Sequence, residues 1–190
     1  MRTALASALV LALSFVATAW MTIGGRAFTA EQGRRLQVEA HQPLVPQTPL
    51  IDATGEERVL RDWIRDDGRS WIITFIYTRC PALCTVLGTQ YQQTQAELRR
   101  QDRAGDVALL TISFDPRDDV PALADYALRM GADPTIWHFA RVADAADLAA
   151  LLRFFGVVVI PDGFGGFQHN SALLWVDPSG RLTRITDIDG

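Results

Sequence analysis

Thiol chemistry in this chain is confined to Cys80 and Cys84, which stand in Cys80-Pro81-Ala82-Leu83-Cys84 with three residues between them. They follow the apolar, β-branched run Trp71-Ile72-Ile73-Thr74-Phe75-Ile76 and precede a stretch rich in Gln, Glu, Leu and Arg. That places them where a buried strand stops and a helix starts. Free backbone N–H groups and the positive end of the helix dipole stabilise an anion at such a point. A thiol there loses its proton more readily and becomes a nucleophile or a metal ligand, and Arg79 puts a further positive charge beside Cys80. Residues four apart on a helix lie about 5–6 Å apart at Cβ, so a small change in the first turn brings the sulfurs to bonding distance. A disulfide and a shared metal are both open. An inert structural disulfide has little to recommend it, because so short a loop restricts the unfolded chain only slightly. Thioredoxin-type oxidoreductases use two intervening residues, so the third residue counts against a simple thioredoxin.

Three histidines could join the thiols. His41 lies in a proline-rich stretch and is expected to be exposed. His138 sits within the strand-like Ile136-Trp137-His138-Phe139 and reads as a packed or edge residue. His169 follows the glycine-rich Gly163-Phe164-Gly165-Gly166 and is read as opening a terminal hairpin, near the end of the strand that delivers Cys80. It is the candidate imidazole for a metal.

The elements that must position these residues alternate. Residues 49–59 read as a short hairpin turning at Asp52-Ala53-Thr54-Gly55, and 69–77 as a buried strand. A helix is expected over 83–101, a second buried strand over 107–114, and a helix over 121–130 with Pro in its first turn. A third strand over 137–141, a helix over 144–155 and a closing hairpin, 171–176 with 181–187, complete the pattern. Strand–helix alternation implies parallel strands in a central sheet covered by helices, and the hairpin adds antiparallel ones. With a cysteine pair at the end of the first buried strand, this is an α/β, thioredoxin-like arrangement: a central mixed sheet flanked by helices, with a C-terminal β-hairpin.

Composition narrows the function. At 190 residues with 48% hydrophobic and 21% charged content, the chain has material for one globular domain. A net charge of −4 argues against nucleic acid as a partner. All 18 basic residues are arginine, which removes Schiff-base chemistry and the lysine of a phosphate-binding P-loop. Thr3 to Ile23 carries no charge, so residues 1–23 read as a signal anchor or a signal peptide, with the small-x-small site Ala17-Thr18-Ala19 before Trp20. Residues 24–47 read as a linker holding a short helix capped by Thr29, and 48–190 as the working domain. Export would place the dithiol in an oxidising compartment, where it can be a disulfide.

Three segments together resemble the Sco/SenC family, copper-binding thioredoxin-like proteins of cytochrome c oxidase assembly. They are Thr74 to Cys84, Ile112-Ser113-Phe114-Asp115-Pro116, and Gln168-His169-Asn170-Ser171. The resemblance covers about residues 48–188. It implies a domain tethered by an N-terminal helix to the inner membrane, facing the periplasm, or a soluble periplasmic protein if that helix is cleaved. It also implies Cys80, Cys84 and His169 as ligands of copper, Cu(I) or Cu(II). A copper metallochaperone would take the ion from a donor protein and give it to the copper-binding subunit of the oxidase. The alternatives are a thiol–disulfide oxidoreductase using Cys80 as attacking and Cys84 as resolving thiol on a copper-site partner, or a redox sensor. This chain departs from the family where Thr85 follows the second cysteine, where Gln168 precedes the histidine, and where Asp118 stands in place of an arginine.

Overall fold

The computed structural model describes residues 2–22, 24–80 and 83–187, without the side chains of residues 2, 4, 5 and 83–87. It divides into two compact units, Met1–Gln42 and Pro43–Gly190.

In the first unit, α1 (Arg2–Met21) is one helix of 20 residues, and α2 (Ala30–His41) follows it. No helix among the described residues is long and apolar enough to cross a membrane. At the start of α2, Thr29 accepts from Gln32 N while the Gln32 side chain accepts from Thr29 N, a reciprocal cap that satisfies the free donors of the first turn.

The second unit is built on a seven-stranded sheet. In chain order its first elements are β1 (Pro49–Asp52), β2 (Glu57–Val59), α3 (Leu60–Asp67), β3 (Ser70–Ile76) and α4 (Leu83–Arg100). Then come β4 (Val107–Ser113), α5 (Val120–Arg129), β5 (Trp137–Val142) and α6 (Ala145–Phe155). A small separate sheet pairs β6 (Val159–Pro161) with β7 (Phe167–His169), and the chain closes with β8 (Leu173–Val176) and β9 (Leu182–Thr186). The strand order of the large sheet is β2-β1-β5-β4-β3-β8-β9, with β3, β4 and β5 parallel at its centre and the outer pairs antiparallel. The chain is thus the expected α/β, thioredoxin-like domain with a mixed sheet flanked by helices.

Strands β3 and β4 have no solvent-facing side. Every residue of β4 is buried, as is β3 from Trp71 onward, which is why both read as continuous apolar runs rather than alternating ones. Some of the polar groups inside are partnered: Tyr91 Oη donates to Ile72 O at 3.0 Å, and Trp137 Nε1 to Thr111 Oγ1 at 2.8 Å. Helix starts are fixed by Asp119, which accepts from Ala122 N, and Asp144, which accepts from Ala146 N and Asp147 N. Gly68 and Gly156 end α3 and α6 with φ of 73° and 67°, a conformation that costs a side chain with Cβ.

Two features differ from the sequence reading. Helix α3 fills residues left unassigned, although Leu60 and Ile64 on one face and Gly68 as a stop are ordinary helix signals. His169 does not open the terminal hairpin. It ends β7, on its own two-stranded hairpin outside the large sheet. The glycine-rich turn between β6 and β7 hides so short a pairing from local pattern.

Candidate metal site

Cys80 lies just beyond β3, in the turn that leads to α4, and its N–H reaches back to Tyr77 O at 3.3 Å. Cys84 is the second residue of α4. Its sulfur, with Pro81 and Ala82, lies outside the described residues, and so does the expectation that it joins Cys80 and His169. Among the described residues no group of three or more His, Cys, Asp and Glu is gathered as a metal cage.

The turn carrying Cys80 is held from below by two buried carboxylates at the end of β4. Asp118 accepts from Thr78 N at 2.7 Å, from Thr78 Oγ1 at 2.7 Å and from Ser113 Oγ at 2.6 Å. Asp115, with its side chain fully buried, pairs with Arg117 at 2.8 Å and with Arg79 at 3.2 Å. Burial pushes the Asp115 carboxyl up. The hydrogen bonds from the Arg117 side chain and backbone, with the charges of Arg117 and Arg79, outweigh it and hold the group below the usual carboxylate range. The positive charge expected beside Cys80 is therefore shared: Arg79 is present, but tied to a buried anion.

On the other side of Cys80 stands the β6–β7 hairpin. Cys80 and His169 line one cleft of about 650 Å³ together with Tyr77, Arg79 and the 162–168 turn. The imidazole is packed edge-on against Phe114, with ring centroids 4.9 Å apart, and against Tyr77 at 6.4 Å. Its Nδ1 lies 3.0 Å from the carbonyl of Asn170, so Nδ1 carries the proton in the neutral ring. Nε2 is then left with its lone pair, buried and without a hydrogen-bond partner among the described residues. Burial pushes the His169 pKa below its ordinary value, and the Asn170 carbonyl opposes this in part. A neutral imidazole, oriented by a backbone carbonyl and with a free nitrogen, is the form that binds a metal.

The other histidines are elsewhere. His138 stacks on Trp71, with centroids 5.4 Å apart and planes 18° apart, towards the start of β3 and so away from the end that delivers Cys80. His41 belongs to α2 and is exposed, its Nδ1 2.9 Å from Gln37 O.

Both inward histidines are held neutral, and this has a consequence for stability. Burial lowers the pKa of His138 and of His169 from 6.5. Below that value the unfolded chain takes up protons at both positions that the folded domain refuses. Stability is then full above pH 6.5 and falls as the pH drops from there towards the lowered folded values. The depressed carboxylates, Asp52 and Asp115 among them, lose their contribution only further down, below 3.8. The urea midpoint is therefore expected to be lower at about pH 5.5 than at about pH 7.5, with a smaller difference in His138→Gln.

Sequence reasoning missed the supports of this site. From sequence, Asp118 reads only as a departure from a family pattern and Tyr77 only as part of the cysteine segment, and Arg117 gives no signal of its role. One signal was available: a largely apolar strand running into Asp115-Pro116-Arg117-Asp118 puts carboxylates where burial demands partners.

Comparison with known proteins agrees with the fold. No curated protein matches the chain. Among solved structures, a SCO1/SenC family lipoprotein from Bacillus anthracis aligns with a TM-score of 0.69 at 17% identity, over 78% of this chain and 86% of that one. ScoI from Bradyrhizobium japonicum, solved with copper bound, aligns at 0.64 and 22% identity, over 78% and 92%. BsSco, described through a disulfide switch and as a member of the Sco family of cytochrome c oxidase assembly proteins, aligns at 0.65 and 20% identity, over 76% and 83%. These likenesses show a shared fold. The family model of SCO1/SenC matches residues 39–189, most of the sequence and nearly all of its second unit, and the chain belongs to the SCO1/SenC family.

Proposed function

We propose that the chain is a copper metallochaperone that holds copper between Cys80, Cys84 and His169 and passes it to the copper-binding subunit of cytochrome c oxidase. One observation carries the reading: His169, which lines the same cleft as Cys80, has a buried Nε2 with no partner among the described residues. A soft, polarisable thiolate suits Cu(I), and an imidazole extends the site to Cu(II). The donor set is small and the cleft open to solvent, so copper as cargo stays within reach of a recipient. The copper-bound ScoI and the oxidase-assembly description of BsSco support the same reading by relationship. The ion would arrive from a donor protein. Residues 1–23, uncharged from Thr3 to Ile23, carry the domain out of the cytoplasm. Retained, they tether it to the inner membrane; cleaved, they release it to the periplasm.

A second reading rests on Cys80 preceding Leu83, the first residue of α4, by three positions, a placement that favours thiolate at the first cysteine. As a thiol–disulfide oxidoreductase the chain would attack a partner disulfide through Cys80 and resolve it through Cys84. His169→Ala separates the two. Copper affinity is expected to fall at least about tenfold, since even the groups that merely orient a ligand are worth 10- to 100-fold. Disulfide exchange is expected to survive. Exchange lost with copper binding unchanged would reverse the assignment of roles.

A further inference from the structure

The hairpin that carries His169 forms no ladder with the seven-stranded sheet, so side chains and not strand pairing set its distance from Cys80. Tyr77 makes one tie, its Oη accepting from Phe167 N at 3.3 Å and lying 3.4 Å from Phe167 O. Arg117 makes another, and this one is charged. Its Nε donates to Asp115 Oδ1 at 2.8 Å, its Nη2 to Asp115 Oδ2 at 2.8 Å and to the Gly165 carbonyl at 2.7 Å. Its guanidinium also lies 5.4 Å from the Phe167 ring centre, on the strand that ends in His169.

Both ends of this tie are rigid. Asp115 is fully buried and is fixed a second time by Arg79, the neighbour of Cys80. The hairpin turn is closed on itself, with Asp162 Oδ1 accepting from Phe164 N at 2.8 Å and from Gly166 N at 2.9 Å. Gly165, at φ +89°, presents its carbonyl to Arg117 from a backbone conformation that suits glycine. A Cβ on Gly166 would collide with Asp162 and crowd the Tyr77 hydroxyl, so the turn also seats directly against that hydroxyl. One buried carboxylate thus joins the cysteine turn, through Arg79, to the histidine hairpin, through Arg117.

We propose that Arg117 is a latch: a positioning residue that, held by Asp115, keeps the β6–β7 hairpin seated so that His169 faces Cys80, and whose release frees the imidazole from the site. This deepens the copper-chaperone reading and rests on it. Loss of the Gly165 contact lets the hairpin lift with its histidine, so copper leaves faster while the large sheet is unaffected. Lysine keeps the charge against Asp115 but lacks the planar fork that reaches carboxylate and carbonyl together.

The test uses the full-length reduced chain, as wild type, Arg117→Gln and Arg117→Lys. In the metal-free protein, backbone amide exchange over residues 162–170 is expected to rise about tenfold in Arg117→Gln, the equivalent of one broken contact of about 1.4 kcal/mol, with β3 and β4 unchanged. Arg117→Lys is expected to recover part of that protection. In the Cu(I)-loaded protein, release to a competing chelator is expected to be about tenfold faster in Arg117→Gln. Unchanged exchange over 162–170 overturns the latch, and so does a rise shared equally by β3 and β4. If the wild type takes up no copper, the copper reading fails, and the metal-free exchange still decides the latch.

Discussion

Replacing Cys80 with serine is expected to lower the copper affinity of the reduced chain by more than about 100-fold, since groups that only orient a ligand already account for 10- to 100-fold. Serine keeps the shape of cysteine but is a hard donor that does not ionise at neutral pH, so the proposed copper site would lose one of its two soft ligands. The fold is expected to stand. Cys80 is half-buried beyond the last residue of β3, and its N–H donates to Tyr77 O from the main chain, which serine leaves in place. Unfolding free energy should therefore move by no more than about 0.5 kcal/mol. Competition against a Cu(I) chelator, with urea unfolding beside it, checks both halves. A serine variant that binds copper within tenfold of the wild type removes Cys80 from the site.

The second large effect is on stability. Asp118→Ala deprives Thr78 N–H, Thr78 Oγ1–H and Ser113 Oγ–H of their shared acceptor in a buried position. A buried donor left unsatisfied costs about 1–3 kcal/mol, and the two hydroxyls can rotate to find other acceptors, so about 3 kcal/mol is expected for the whole. For a domain of this size that lowers the melting temperature by about 10 °C. The contact with Arg79 at 3.9 Å adds little, because that arginine is half in water. Asp118→Asn is expected to fall between, keeping one acceptor but turning an amide N–H₂ towards donors. A melting temperature within about 2 °C of the wild type in Asp118→Ala would mean that the turn before Cys80 is held by something else.

These two predictions divide along what the sequence made legible. The placement of Cys80 followed from local physics: an apolar run long enough to be buried on both faces, then a polar stretch with helical composition, leaves the cysteine at the junction. The centre of the sheet followed for the same reason, since β3 and β4 are buried throughout. The role of Asp118 could not be read that way. Its three donors come from β4 and from the turn beyond β3, far apart in sequence, and only the parallel pairing of those strands brings them together. The same holds for His169. Its type was a signal, but its strand is three residues long and its seat is made by Tyr77, Phe114 and Arg117 from other elements. Asp118 entered the sequence reading as an oddity because an arginine was expected there. In the structure the cationic work falls to Arg117 and Arg79, and Asp118 serves the backbone instead.

The free Nε2 of His169 and the half-buried Cys80 make a claim about one ion. Titration of the reduced full-length chain with Cu(I) against a competing chelator, repeated after both thiols are alkylated, tests it most directly. One copper is expected to be retained per reduced chain, and none after alkylation. Reduced protein that retains no copper, or alkylated protein that retains it equally well, would contradict it.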